Sequence, residues 1–195
     1  LGWDQETMLP DGAIEGRSEQ LSHMEGLIHD KNTADEIGEL LERIGSTDKQ
    51  PEGPEHLGTH DRAFLREVRR RYVRGRRIPK DLVMRIAKEV SISQNEWQQA
   101  RKEDNFERFA PHLETLVSLN RELAEHIGYE SDPYDALLDE FEPHTKAAKV
   151  DCVFQELEKQ LKPILEAIQK APQVDDEVVK RGYPADKQNE FGTEV

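Results

Sequence analysis

Cysteine is nearly missing from these 195 residues: Cys152 stands alone. A single thiol closes no internal disulfide, and that usage suits a reducing compartment such as the cytoplasm. Aromatic residues are scarce, at 6%, and no alternating apolar–polar run of any length occurs. Both argue against a sheet core. No apolar run approaches the ~20 residues that a membrane-spanning helix needs, and no signal-peptide pattern is visible. There is no glycine-rich phosphate loop, no Gly-x-Ser-x-Gly elbow, no internal repeat and no low-complexity tract. Charge, by contrast, is plentiful. Asp and Glu number 41 against 27 Lys and Arg, a formal net charge of -14, which in general repels nucleic acid and anionic membrane. Hydrophobic and charged residues each make up 35%, a balance that fits long helices with one apolar face.

The apolar residues recur at helical spacing. After a Pro10-Asp11-Gly12 turn, Ile14, Leu21, Met24 and Ile28 mark a first long helix. Thr33 and Glu36 have capping-box spacing ahead of Ile37, Leu40, Leu41 and Ile44, and Gly45 supplies the stop. Residues 46–56, with Pro51, Gly53 and Pro54, read as a loop. Phe64, Leu65, Val68 and Tyr72 predict a helix ending near Gly75. Pro79 opens a longer one with Leu82, Val83, Ile86, Val90 and Trp97 on one face, interrupted at Asn105. Pro111 suits the first turn of the next helix, which carries Leu113 to Ile127 and stops at Gly128. Asp132-Pro133 starts a short helix ending by Pro143. Thr145 caps a long one bearing Val150, Val153, Phe154, Leu157, Leu161, Leu165 and Ile168, with Pro163 expected to kink it. Pro184 to Val195 reads as a helix just beginning. With Leu1 in place of a methionine, this gives a chain expected to be cut at both ends. The fold class is all-α, with short turns implying antiparallel neighbours.

Few residues offer chemistry. His56 and His60 stand four apart, the spacing by which two imidazoles share a helix face in zinc peptidases. However, Leu57 sits where such a motif has its general-base glutamate, so the pair reads as two surface histidines near a helix start. His23, His29, His112, His126 and His144 read as helix-surface or terminal residues. The basic run Arg66 to Arg77 could bind phosphates or RNA, but it spreads over more than one helix face in an acidic chain. A partner within the molecule or across a subunit contact suits it better. Asp139, Glu140 and Glu142 read as a solvated face, and Cys152 as a packed residue rather than a nucleophile.

Four blocks carry a resemblance. Trp3-Asp4-Gln5-Glu6-Thr7-Met8-Leu9-Pro10 resembles the Trp-Asp-Gln-Glu-Thr-x-Met-Pro segment near the start of carboxypeptidase Taq-type peptidases, the M32 family. Arg17, Glu19, Gln20 and Leu21 continue the match. Lys102 to Leu113 is similar to a second family block built around Asn-Asp-Phe, and Pro133 to Pro143 to a third, Pro-Tyr-Asp-Ala-Leu-Leu-Asp-x-Tyr/Phe-Glu-Pro. Order and spacing agree from end to end.

The resemblance implies a zincin-like, neurolysin-like helical peptidase fold, with residues 1–195 as one N-terminal region that ends before the family's His-Glu-x-x-His helix. It implies a parent enzyme that removes C-terminal residues from peptides with zinc, or cobalt or manganese, as cofactor. It further implies a homodimer with a deep groove for short unfolded peptides, walled and roofed in part by these helices, and no membrane or nucleic-acid partner. No position here matches a catalytic residue or metal ligand of the family, so none is assigned, substrate-binding residues stay unknown, and the region alone is expected to be inactive. Trp3 and the loop Asp4 to Pro10 are expected to pack as a fixed corner against the first long helix. Two alternatives remain open: a stand-alone helical interaction or dimerisation module and, more weakly, an RNA-binding bundle.

Overall fold

A computed structural model describes every residue except Gln173, and the backbone alone of Asp11. Among the described residues there are helices and turns and no strand. The chain divides into two compact units, Leu1–Ala147 and Ala148–Val195.

The first unit begins with α1 (Gly2–Thr7), a 3-10 turn (Asp11–Ala13) and α2 (Ile14–Asn32). It continues through α3 (Asp35–Ile44), α4 (Thr59–Arg77), α5 (Lys80–Lys102), α6 (Phe106–Ile127) and α7 (Pro133–Leu138). Polar cross-links give the register. Glu19 pairs with Lys88, the Ser22 hydroxyl donates to the Met84 carbonyl at 2.9 Å, and Asp30 pairs with Lys80 at 2.5 Å, so α2 and α5 run antiparallel. Glu89 with His112, Glu96 with Arg108 and Arg85 with Glu122 set α5 against α6 the same way. Asp35 with Arg76 and Glu42 with Arg69 do so for α3 and α4. Of these pairs only α5 and α6 are joined by a short turn; α2 meets α5 from across α3 and α4, and α3 and α4 are separated by residues 45–58, so short turns do not account for those two pairs.

The α2–α5 seam is built from small residues. Ser18, Ser22 and Gly26, four apart on α2, are its buried positions, while Met24 and Ile28 are half exposed. A Cβ on Gly26 would sit 2.9 Å from the Met84 sulfur and 3.0 Å from Lys80 Cε, so two α5 side chains pack directly on the α2 backbone there. The apolar core lies elsewhere. Leu41 and Leu65 are buried on α3 and α4, and Leu82 on α5. Ala124, Ile127 and Ala136 form the α6–α7 corner with Ile78, Leu123 and Leu137.

Helix ends follow local chemistry, with three corrections to the expectations. Gly45 ends α3 at φ +92°, as its lack of a Cβ allows, and the Asp132 carboxylate accepts the Tyr134 amide at 2.8 Å to start α7. Thr33, however, does not cap α3: its hydroxyl donates to the His29 carbonyl, closing the last turn of α2, and α3 starts after Ala34 with no side-chain cap. Pro111 lies inside α6 rather than in its first turn. Asn105 both ends the turn after α5 and caps α6, accepting from the Arg108 amide. Finally, residues 2–7 are helical, and Trp3 is 73% exposed. The inward side chains are its neighbours: Asp4, paired with Arg17, and Gln5. On so short a helix, inward positions for those two leave the adjacent Trp3 facing out.

The second unit holds most of α8 (Ala147–Lys170), then α9 (Glu177–Lys180) and α10 (Ala185–Glu194). The helix α8 runs on through Pro163. Cys152 is exposed, not packed as expected, and so are Val153, Phe154, Leu157, Leu161, Leu165 and Ile168.

Candidate functional site

The strongest polar constellation is the arginine run of α4, and the structure turns it inward. Arg69 is buried, and it donates to the Ser46 carbonyl at 2.5 Å and to Asp48 at 2.7 Å, with Glu42 at 3.0 Å. Burial alone would lower its pKa, but the two carboxylates outweigh that and raise it. Arg70 reaches the Asp139 carbonyl at 3.1 Å and its carboxylate at 2.9 Å. Arg74 donates to the Ala136 carbonyl at 3.0 Å and pairs with Glu140 at 3.1 Å. Arg76 pairs with Asp35, and Arg77 donates to the Ile127 carbonyl at 2.8 Å. Helices leave their last carbonyls without partners; here one arginine helix supplies donors to several such ends. For Arg69, Arg70, Arg74, Arg76 and Arg77 the partners lie within the molecule, while Arg66 and Arg71 stay exposed.

Two carboxylates are held ionised by this network. Hydrogen bonds from Arg70 and Arg71 bring Glu67 down to about 2. Burial works against ionisation of Asp139, but the His144 amide, 3.0 Å away, and the Arg70 and Arg74 guanidinium groups prevail and hold it below the usual carboxylate range. Asp135, which sequence reasoning passed over, is 6% exposed. It accepts the Ala147 amide at 2.7 Å and faces Lys146 at 3.5 Å, and so fixes the start of α8 from twelve residues upstream. Thr145 was expected there; the cap is Asp135.

The histidines do not converge. His56 lies in the turn before α4 and His60 in its first turn, both exposed, so they do not share a helix face. His112 Nδ1 lies 2.8 Å from Glu89 at the α5–α6 seam. Among the described residues no three His, Cys, Asp or Glu side chains are grouped as a metal ion would need.

A second polar site lies between α1 and α5. The α5 face that meets α2 at Met84 carries on toward the C-terminus as Ser91, Gln94, Asn95, Gln98 and Gln99. Their spacing is i, i+3, i+4, i+7, i+8, where a packed helix usually places apolar residues. Ser91 is buried beneath the stripe, and Gln94, Asn95, Gln98 and Gln99, with Gln5, Leu9 and Ile14, line a pocket of about 140 Å³. Ser91 donates to Gln5 Oε1 at 3.1 Å, and Gln5 Nε2 contacts Gln94 Oε1 at 3.4 Å. The signal was open in the sequence as an all-amide helical stripe, but a search for charged and metal-binding chemistry does not look for amides.

The whole chain, residues 1–195, matches the family described as carboxypeptidase Taq (M32) metallopeptidase. The chain belongs to this family. It is 31% identical over 188 residues to thermostable carboxypeptidase 1 of Pyrococcus furiosus, covering 96% of this chain and 35% of that protein. It is 32% identical over 203 residues to thermostable carboxypeptidase 1 of Thermus thermophilus, covering 99% and 39%. Solved structures agree in fold. A crystal structure described as BsuCP superposes with a TM-score of 0.88 at 25% identity, over 98% of this chain and 38% of that one. An apo-Mg structure of the Pyrococcus furiosus carboxypeptidase gives 0.76 at 29% identity, over 97% and 37%. The M32 chain described here therefore spans well under half the length of the relatives it matches.

Proposed function

We propose that these 195 residues serve as the N-terminal groove-wall and cap region of a metal-dependent carboxypeptidase that removes C-terminal residues from peptides. The observation that carries this reading is the M32 match across residues 1–195 in a sequence with no His-Glu-x-x-His. The region acts as one N-terminal unit of the enzyme, inactive alone, with no catalytic residue or metal ligand of its own. In the parent, a divalent metal, zinc or else cobalt or manganese, would supply Lewis-acid polarisation of the scissile carbonyl and activation of a water. The parent is a cytoplasmic homodimer. No described helix is long and apolar enough to cross a membrane.

The test is peptide hydrolysis by the purified protein with zinc, cobalt or manganese added. No turnover is expected. Turnover that disappears in the His56→Ala, His60→Ala double variant would overturn the reading. A second reading, a helical interaction or dimerisation module, is favoured by the exposed apolar residues of α8. It predicts a discrete dimer by light scattering.

A further inference from the structure

We propose that the amide-lined pocket between α1 and α5 binds the main chain of a peptide, one peptide unit of an extended, uncharged segment. The proposal rests on the peptide-processing reading only for the class of ligand.

The lining argues for a neutral polar ligand. Gln5, Gln94, Asn95, Gln98 and Gln99 are uncharged, no Lys or Arg lines the pocket, and the single carboxylate, Glu6, is exposed. An anion would lack its usual cationic partner, and a metal ion its carboxylates. No aromatic ring lines the pocket, so a base or sugar finds no face to stack on. A side-chain amide offers two N–H donors and a carbonyl acceptor in one plane, and a peptide unit offers one N–H and one C=O to meet them. Such paired contacts read the main chain without reading its side chains, as a peptidase acting on varied sequences requires. Among the described residues, the Gln98 and Gln99 side chains make no hydrogen bond to protein.

Size and stability point the same way. A volume of about 140 Å³ holds several waters and suits a short segment rather than a large ligand. Leu9 and Ile14 at the pocket wall suit a small apolar side chain beside it. Gln94, Asn95 and Gln99 are amides at half-buried positions of α5, with the exposed Gln98 beside them, and departures of this kind from the stabilising pattern collect at functional sites.

The experiment titrates N-acetyl-trialanine N-methylamide into the ¹⁵N-labelled protein and follows the side-chain NH₂ resonances of Gln94, Asn95, Gln98 and Gln99. Saturable shifts at those resonances are expected. Gln98→Glu, which keeps the shape and removes the donors, should weaken binding at least tenfold. Gln94→Leu with Gln98→Leu should abolish it and leave Tm unchanged or higher. No saturable shift in the wild type, an equal response to maltose, or full affinity in Gln98→Glu would overturn the proposal. A lower Tm in the leucine variant with unchanged affinity would also overturn it, by making the stripe structural. The capped peptide has no terminal carboxylate to be processed and needs no metal. Failure here therefore leaves the hydrolysis result untouched, and failure there leaves this one standing.

Discussion

Arg69 shows how one side chain can hold a loop. Its fork ties the Ser46 carbonyl, Asp48 and Glu42 to α4. Removing it as Arg69→Met leaves the buried Ser46 carbonyl without a donor, a loss of about 1–3 kcal/mol. Arg69→Lys recovers little, because an ammonium cannot spread over three acceptors in a plane; urea unfolding of the two variants checks both. Asp139 makes a pH-dependent contribution. Its folded pKa is depressed, so its stabilisation is present above the ordinary carboxylate range and is lost as pH falls through the depressed value. Glu67, held at about 2, adds to the same trend. The expected result is a Tm that falls steeply below about pH 4 in the wild type and less steeply in Asp139→Asn. At this scale the sequence showed the arginines but not their acceptors. Several of those are main-chain carbonyls, at Ser46, Ala136, Asp139 and Ile127, which every residue carries and no motif marks.

Among the elements, the long helices and most of their extent were readable from apolar spacing, Gly45 and Asp132-Pro133, while the short α1 and α9 and the helix faces were not. On α2 the spacing of Leu21, Met24 and Ile28 picked out a partly exposed face, and the buried seam is Ser18, Ser22 and Gly26. Close approach to the backbone selects small residues, and a hydrophobicity pattern does not register them. The seam can be tested directly. In Gly26→Ala the new methyl meets the Met84 sulfur at 2.9 Å, the end of a flexible side chain, and alanine also favours the helix by ~1 kcal/mol. The change should be close to neutral. Gly26→Leu cannot be accommodated by one rotamer change and should cost about 1–3 kcal/mol. Thermal melts of the two variants decide. Thr33 teaches a similar lesson: capping-box spacing was there, but its hydroxyl closes the helix before it, because a threonine between two helices can serve either.

For the molecule as a whole, family membership was legible because four separated blocks kept their order, and no local property of those residues carried it. The apolar row of α8, from Val153 to Ile168, is exposed, and exposed rows of this kind drive association. The protein by itself should show concentration-dependent self-association in sedimentation velocity. Phe154→Glu with Leu161→Glu should return it to a single slow species. The α4 network suggests a different property at this scale. The groups it grips at Ser46, Ile127 and Ala136 are carbonyl oxygens, which persist whatever side chain occupies those positions. At those three points the neighbouring chain can change its side chains without losing hold of α4, whereas at Asp48, Asp139 and Asp35 it cannot.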